Sequence, residues 1–128
     1  MEIVEAKYKT GRYVGRLLEV KEEDNRALFQ VLAVKRHPNQ GDLHQPKQAD
    51  VQMFHQRKAL AYLEKTWVPY STVKPFSGEI EPYDASLLKA WLDAKEKLEN
   101  EETDWAKQSL LHLNDLASDY RMTKDIKD

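Results

Sequence analysis

Two apolar runs in the front half of the chain predict a β-hairpin. The first covers residues 13–20, the second covers residues 27–34, and the polar residues 22–25 separate them. Strand-like runs on either side of a short polar turn are typical of neighbouring antiparallel strands. The second run is apolar on both of its alternating faces, which predicts a central strand that is covered on both sides.

Further breaks and apolar runs extend the β pattern along the front half. Residues 37–47 contain two prolines and a glycine, and they predict an irregular loop. Residues 59–68 predict a strand because their end is rich in β-branched and aromatic residues, although residues 57–64 also suit a helix. A last strand is predicted at residues 73–76. Together these elements predict a domain at residues 1–78 with the fold of a small, SH3-like, partly open β-barrel.

The rear half, residues 79–128, has the periodicity of two helices. Two apolar stripes at helical spacing are separated by a short polar interruption. We therefore predict a C-terminal antiparallel α-helical hairpin, packed on or beside the barrel, with Asp84 as the N-cap of its first helix. Trp91, Trp105 and Tyr120 lie on the stripes, which favours core positions over an exposed interface for these three aromatic residues.

The composition is that of a globular protein. The chain has 128 residues, of which 41% are hydrophobic and 33% are charged, and it contains no cysteine. Its first residues lack the basic start and the apolar stretch of a signal peptide. No window approaches the roughly 18 apolar residues that a membrane-spanning helix needs. These features predict a cytoplasmic location and no direct membrane insertion.

Charge is spread unevenly along the chain. The net charge is −2, but residues 1–78 carry 13 Lys and Arg against 9 Asp and Glu, whereas residues 79–128 carry 7 against 13. This asymmetry either serves solubility or indicates that the two halves face different partners. A nucleic-acid-binding SH3-like module is an alternative interpretation. Its basic excess is small, however, and phosphate contacts dominate such binding, so we expect no nucleic acid as partner.

No motif of an enzyme active site is recognisable in the sequence. It contains no phosphate-binding loop, nucleophile elbow or zinc-protease helix. His37, His44 and His55, with Asp42 between the first two, have the ligand types that bind zinc. Their spacings of seven and eleven residues match no metal signature. We therefore predict a non-enzymatic protein without a metal or another cofactor.

The polar loop that begins at residue 37 is the strongest candidate for a binding function. Its length approaches the range in which structureless loops are uncommon and usually functional. Its prolines and glycine restrict the backbone, so the loop can present polar side chains in a preorganised way. The candidate partner-binding residues are His37, Asp42, His44, Lys47, His55, Arg57 and Lys58.

A family resemblance rests on the same segment. Residues 37–47, continuing through residues 54–55 and 57–61, resemble the kinase-associated protein B family of endospore-forming bacilli. Residues 73–76 and 105–107 also fit this family, so the resemblance spans nearly the whole chain. Its histidine-rich part is the most specific.

The resemblance implies a non-enzymatic accessory factor that binds and supports a membrane sensor histidine kinase of the sporulation phosphorelay. The family is also described as a lipoprotein, and this sequence departs from that description because it has no cysteine to carry a lipid. We therefore expect a cytoplasmic protein that its kinase recruits to the inner face of the membrane. The loop around residues 41–47 is expected to contact a cytoplasmic part of the kinase.

Overall fold

A single antiparallel sheet followed by two helices forms the described part of the chain, residues 2–121 of a computed structural model. The strands are Glu2–Tyr8 (β1), Gly11–Lys21 (β2), Arg26–Arg36 (β3), Lys65–Pro69 (β4) and Lys74–Pro75 (β5), and the helices are Tyr83–Glu99 (α1) and Asp104–Asp119 (α2). The strand order across the sheet is β4-β3-β2-β1-β5. The prediction of two C-terminal helices is confirmed.

The predicted hairpin is confirmed as β2 and β3. Their register runs from Arg12 opposite Arg36 to Lys21 opposite Arg26. A short 3-10 turn joins the strands and ends at Asn25, whose φ of 51° is a left-handed conformation that asparagine tolerates better than most residues. β3 has a neighbour on each side, β2 and β4, as its two apolar faces predict.

The sheet is open, so the predicted β-barrel is wrong. Within the described residues β4 pairs only with β3, and β5 pairs only with β1. These edge strands are five and two residues long, and they are not paired with each other. α1 packs on the sheet instead, and the Ser86 hydroxyl accepts a hydrogen bond of 2.9 Å from the backbone N–H of Val34 in β3.

Two parts of the β pattern differ from the prediction. Of residues 59–68, only those from Lys65 onward are in a strand, and residues 59–64 are neither strand nor helix. β1 was not predicted, although its inward side chains Val4 and Ala6 alternate with polar ones as expected of a half-buried strand. β1 pairs along its whole length with residues 11–17 of β2 and also pairs with β5, so it lies inside the sheet.

The helices and the sheet share one cluster of buried residues. Phe29 and Val31 from β3 belong to the same cluster as Trp91 from α1 and Leu113 from α2. The Trp91 side chain is fully buried, and its indole N–H donates a hydrogen bond of 2.8 Å to the Leu113 carbonyl oxygen. The predicted core position of Trp91 is thus confirmed, and so is that of Trp105, which is 5% exposed.

The starts of the helices depend on different residues. Pro82, not the predicted Asp84, is the N-cap of α1, and Asp84 lies in its first turn. A carboxylate there still interacts favourably with the helix dipole. α2 has a side-chain cap, because the Thr103 hydroxyl accepts a hydrogen bond of 3.1 Å from the Ala106 N–H. The short connection between the helices makes them antiparallel neighbours.

Candidate functional site

The candidate binding residues all belong to the connection between β3 and β4. This connection, residues 37–64, is called here the 37–64 segment. It is described throughout, and it contains no helix or strand. Irregular segments of this length are uncommon in compact domains and are usually functional. Its backbone has few partners of its own, so side chains from the sheet and the helices must hold it in place.

Three tyrosine hydroxyls hold the C-terminal part of the 37–64 segment. The hydroxyl of Tyr120 accepts a hydrogen bond of 2.8 Å from the Ala59 N–H, and that of Tyr13 accepts one of 3.2 Å from the Leu60 N–H. Tyr83 donates its hydroxyl proton to the Leu60 carbonyl oxygen. Burial raises the pKa of both Tyr13 and Tyr120 to about 12, so these hydroxyls stay protonated at neutral pH.

His37 is a buried member of the same network. Its Nδ1 lies 3.0 Å from the Pro38 carbonyl oxygen, and its Nε2 lies 2.9 Å from the Tyr120 hydroxyl. Because a carbonyl oxygen can only accept, Nδ1 carries the proton and Nε2 accepts from Tyr120. Burial lowers the pKa of His37 to about 4. His37 is therefore neutral at physiological pH and connects the start of the 37–64 segment to the end of α2.

Gln40 joins the two ends of the segment. Its side-chain amide donates a hydrogen bond of 2.9 Å to the Arg57 carbonyl oxygen and accepts one of 2.8 Å from the Arg57 N–H. The backbone carbonyl of Gln40 accepts a third hydrogen bond, of 3.0 Å, from the indole N–H of Trp105 in α2. Gln40 is buried, so these bonds satisfy a side chain that would be costly to bury alone.

Gly41 occupies a backbone position that favours glycine. Its φ is +106°, and a Cβ placed there would lie 3.2 Å from the Phe54 ring and 3.4 Å from the Trp105 indole nitrogen. The N–H of Gly41 donates to the His55 carbonyl oxygen at 2.9 Å. Its carbonyl oxygen accepts from Nε of Arg57 at 3.1 Å. The turn at Gly41 thus holds the first and the second half of the segment together and against α2.

A second set of contacts ties the middle of the segment to α2. The rings of Phe54 and His112 are stacked with their centroids 5.1 Å apart. Gln56 lies between two α2 side chains, 2.8 Å from Nδ1 of His112 and 3.0 Å from a carboxylate oxygen of Asp115. The segment is therefore anchored along α2 and not only at its ends.

The structure does not bring the seven predicted residues into one site. His37 is 2% exposed, and Arg57 is half-buried with its Nε on the Gly41 carbonyl, so both hold the segment in position. Asp42 stabilises a local turn, because its carboxylate accepts a hydrogen bond of 2.8 Å from the N–H of His44. These three residues position the segment from within.

The other four predicted residues are exposed: His44, Lys47, His55 and Lys58. Lys47 places its ammonium 5.7 Å from the centre of the Trp105 ring, and Lys58 places its ammonium 5.9 Å from that of Tyr120. Trp105 is the second residue of α2 and Tyr120 follows its last residue, so their Cα atoms are about 22 Å apart at the helical rise. The exposed residues thus form an extended face, called here the docking face.

The histidines do not assemble into a metal centre. Among residues 2–121 no group of three or more histidine, aspartate or glutamate side chains lies close enough together to hold a metal ion. The residues that organise the segment, Gln40, Trp105 and Tyr120, were not predicted as site residues. Helical periodicity indicated only that Trp105 and Tyr120 are core-facing, and no sequence signal pairs them with a loop more than sixty residues earlier.

Comparison with known proteins identifies relatives over most of the chain. A family model described as Kinase associated protein B matches residues 8–121. A Bacillus subtilis (strain 168) protein named Kinase-associated lipoprotein B is 47% identical over 118 residues, covering 92% of this chain and 91% of that protein. The X-ray crystal structure of kinase-associated protein B from Bacillus cereus superposes with a TM-score of 0.77 at 32% identity, over 94% of each chain.

One of these findings corrects an expectation from the sequence. The Bacillus subtilis relative is named a lipoprotein, which contradicts the cytoplasmic location that we predicted. That prediction rested on the absence of cysteine from these 128 residues and on the composition of the first residues. Such negative features carry less weight than the name of a relative with 47% identity.

Neither α1 nor α2, within residues 2–121, combines the length and the apolar character that a membrane crossing requires. The family model covers residues 8–121, which include β2 to β5, the 37–64 segment and both helices. The chain belongs to the kinase-associated protein B family.

Proposed function

We propose that this protein is a non-enzymatic accessory protein that binds a sensor histidine kinase of the sporulation phosphorelay and supports its signalling. Two observations support a kinase as the partner: the family description, and the name of the Bacillus subtilis relative, Kinase-associated lipoprotein B. The histidine-rich part of the 37–64 segment is also where the sequence most specifically resembles the family.

The observation that carries the proposal is the anchoring of the 37–64 segment. The half-buried Tyr120 hydroxyl accepts a hydrogen bond from its backbone, and the buried Trp105 and Gln40 side chains each donate one to it. The docking face is exposed. A segment that is already ordered loses little conformational freedom when it binds, so a larger share of its contact energy appears as affinity. An irregular segment with this much support from distant elements is well suited to recognition.

The proposed mechanism is a shift in the population of kinase conformations. The docking face offers Lys47, Lys58 and two exposed histidines to the partner. Binding supports signalling only if the kinase surface that it contacts has higher affinity for this protein in the active conformation than in the inactive one. His37 and Arg57 act in this mechanism by positioning the segment.

The test is a binding titration with the full-length kinase in lipid nanodiscs. We expect saturable binding by the intact chain. Replacing three exposed residues together, His44→Ala/His55→Ala/Lys58→Ala, should weaken the affinity for the kinase by about tenfold or more. A tenfold change in affinity corresponds to about 1.4 kcal/mol, and each of these contacts contributes a part of that free energy. The circular dichroism spectrum should not change.

The matched control is Lys65→Ala/Lys74→Ala, which removes two exposed cations from the sheet. It takes away more positive charge than the docking variant, yet it should leave the affinity within about twofold. Equal affinity of the docking variant and the intact chain would refute the docking face. No binding by the intact chain would refute the kinase as a direct partner.

A further inference from the structure

A groove beside the docking face has an unusual concentration of basic side chains. It has a volume of about 540 Å³ and lies between the ends of three strands, the start of the 37–64 segment, and the two helices. We call it the basic groove. Its basic side chains are those of Lys7, Arg12, Lys35, Arg36, Lys47 and Lys97.

The sheet register places three of these cations in one row. Lys7 in β1 is the direct partner of Arg12 in β2, and Arg12 is in turn the partner of Arg36 in β3. Like charges directly opposite one another in a sheet are destabilising. Arg12 pairs with Glu5, and the Arg36 guanidinium donates to the Thr10 carbonyl oxygen at 3.3 Å, so these contacts offset part of the repulsion. An anionic ligand would offset the rest.

Neutralisation within the protein is incomplete. Glu5 lies 2.7 Å from the ammonium of Lys35 and 3.7 Å from the guanidinium of Arg12. Two carboxylates, those of Asp93 and Glu101, also line the groove. Three carboxylates against six cations leave an excess of positive charge, in a protein whose net charge is −2. A cleft lined by one sign of charge attracts ligands of the opposite sign.

The floor of the groove is apolar. Leu98, Ala94, Leu113 and Trp105 contribute to it. Trp105 is 5% exposed, uses its indole N–H on the Gln40 carbonyl, and has the Lys47 ammonium above its ring. Nucleic-acid-binding grooves expose aromatic faces on which bases stack, and this groove offers none. A ligand that matches this groove has carboxylate side chains, which pair with the surrounding cations, on either side of an aliphatic side chain, which packs on the apolar floor.

We propose that the basic groove binds an acidic peptide segment of a protein partner, with carboxylates on the rim cations and an aliphatic side chain on the Leu98–Trp105 floor. This inference deepens the proposed docking function. It rests on that proposal in one respect, namely that the partner is a protein. Lys47 belongs both to the groove and to the docking face, so an acidic segment bound in the groove would continue onto the 37–64 segment.

The test uses the intact chain and a fluorescent peptide of glutamates interspersed with leucines. Anisotropy should show saturable binding that weakens as salt is raised from about 50 to about 300 mM, because added salt screens exposed charges. The same peptide with glutamine in place of each glutamate should not bind. Equal binding of the glutamine peptide would overturn the inference.

A pair of variants tests the location. Lys47→Gln/Lys97→Gln should raise the Kd for the acidic peptide by about tenfold, since each exposed ion pair accounts for up to several-fold in affinity. Lys21→Gln/Lys65→Gln removes the same charge from exposed positions that do not line the groove, and it should change the Kd by less than about twofold. An equal effect of the two variants would overturn the groove as the site.

Two further measurements separate this inference from the proposed function. A single-stranded oligothymidylate that displaces the acidic peptide at lower concentration than unlabelled peptide does would overturn the peptide assignment in favour of nucleic acid. The kinase titration tests the docking function by itself. Kinase binding without acidic-peptide binding would overturn the groove inference alone, whereas peptide binding without kinase binding would support the groove and overturn the kinase as partner.

Discussion

Lowering the pH should destabilise this protein specifically through His37. The imidazole is buried, accepts a hydrogen bond from Tyr120, and donates one to the Pro38 carbonyl oxygen. A second proton on the ring would remove the acceptor that Tyr120 uses and would place a charge in a poorly solvated site. The start of the 37–64 segment would then lose its connection to α2.

The magnitude follows from the difference in pKa between the folded and the unfolded chain. The pKa of His37 is about 4 in the fold, against 6.5 for an unperturbed histidine. Above pH 6.5 His37 is neutral in both the folded and the unfolded chain, so its full contribution to the free energy of unfolding is present. Between pH 6.5 and about 4 only the unfolded chain takes up the proton, so the free energy of unfolding falls by about 1.4 kcal/mol per pH unit. From about pH 7.5 to about pH 5 the loss is about 2 kcal/mol.

The assay is urea unfolding at those two pH values for the intact chain and for His37→Gln. Glutamine keeps a donor and an acceptor but does not titrate, so the variant should be less stable at pH 7.5 and should lack this part of the pH dependence. His55→Gln is the matched control, because His55 is exposed. It should retain the pH dependence of the intact chain.

Two results would refute this reasoning about His37. One is an NMR titration in which its ring protons shift with a midpoint near 6.5. The other is an equal loss of stability in the intact chain and in His37→Gln over the same pH interval.

Three further predictions concern stability, each measured by urea unfolding. Tyr120→Phe leaves the Ala59 N–H without its acceptor and should lower the free energy of unfolding by about 2 to 4 kcal/mol. Tyr62→Phe should be nearly neutral, because Tyr62 is 54% exposed. Equal losses in the two variants would contradict the anchoring by tyrosine hydroxyls. Gly41→Ala should cost about 1 to 3 kcal/mol and more than Gly78→Ala, which shares a positive φ but would place its Cβ 3.9 Å from the Phe76 ring, an ordinary contact distance. The reverse order would contradict the close packing at Gly41. Ser109→Ala should raise the free energy of unfolding by about 1 kcal/mol, because the buried Ser109 hydroxyl has no hydrogen-bond partner among the described residues. A loss of stability would instead show that this hydroxyl makes a stabilising hydrogen bond.

Local patterns predicted the elements whose determinants are close in sequence. The β2–β3 hairpin follows from two apolar runs and a polar turn, and the core positions of Trp91 and Trp105 follow from helical periodicity. The open sheet could not be predicted in this way. Whether a sheet closes depends on how long the edge strands are and on where α1 packs, which are properties of the whole fold.

The 37–64 segment shows the same limit at the site. Ala59 and Leu60 are buried and apolar as a strand would be, but their backbone groups bind hydroxyls of distant tyrosines instead of a neighbouring strand. We grouped His37, His44 and His55 as partner-binding residues because they lie in one stretch of sequence. The fold buries His37 and exposes His44 and His55. The chain turns at residue 41, so His37 lies in a different environment from the other two.

The most direct test of the central claim is amide hydrogen exchange of the intact chain, alone and bound to the full-length kinase in nanodiscs. The account predicts slower exchange in the kinase complex for amides between residues 42 and 58, with little change in β4 and β5, which lie at the edges of the sheet. Protection confined to β4, β5 or the sheet surface between them, with unchanged exchange across residues 42–58, would contradict it.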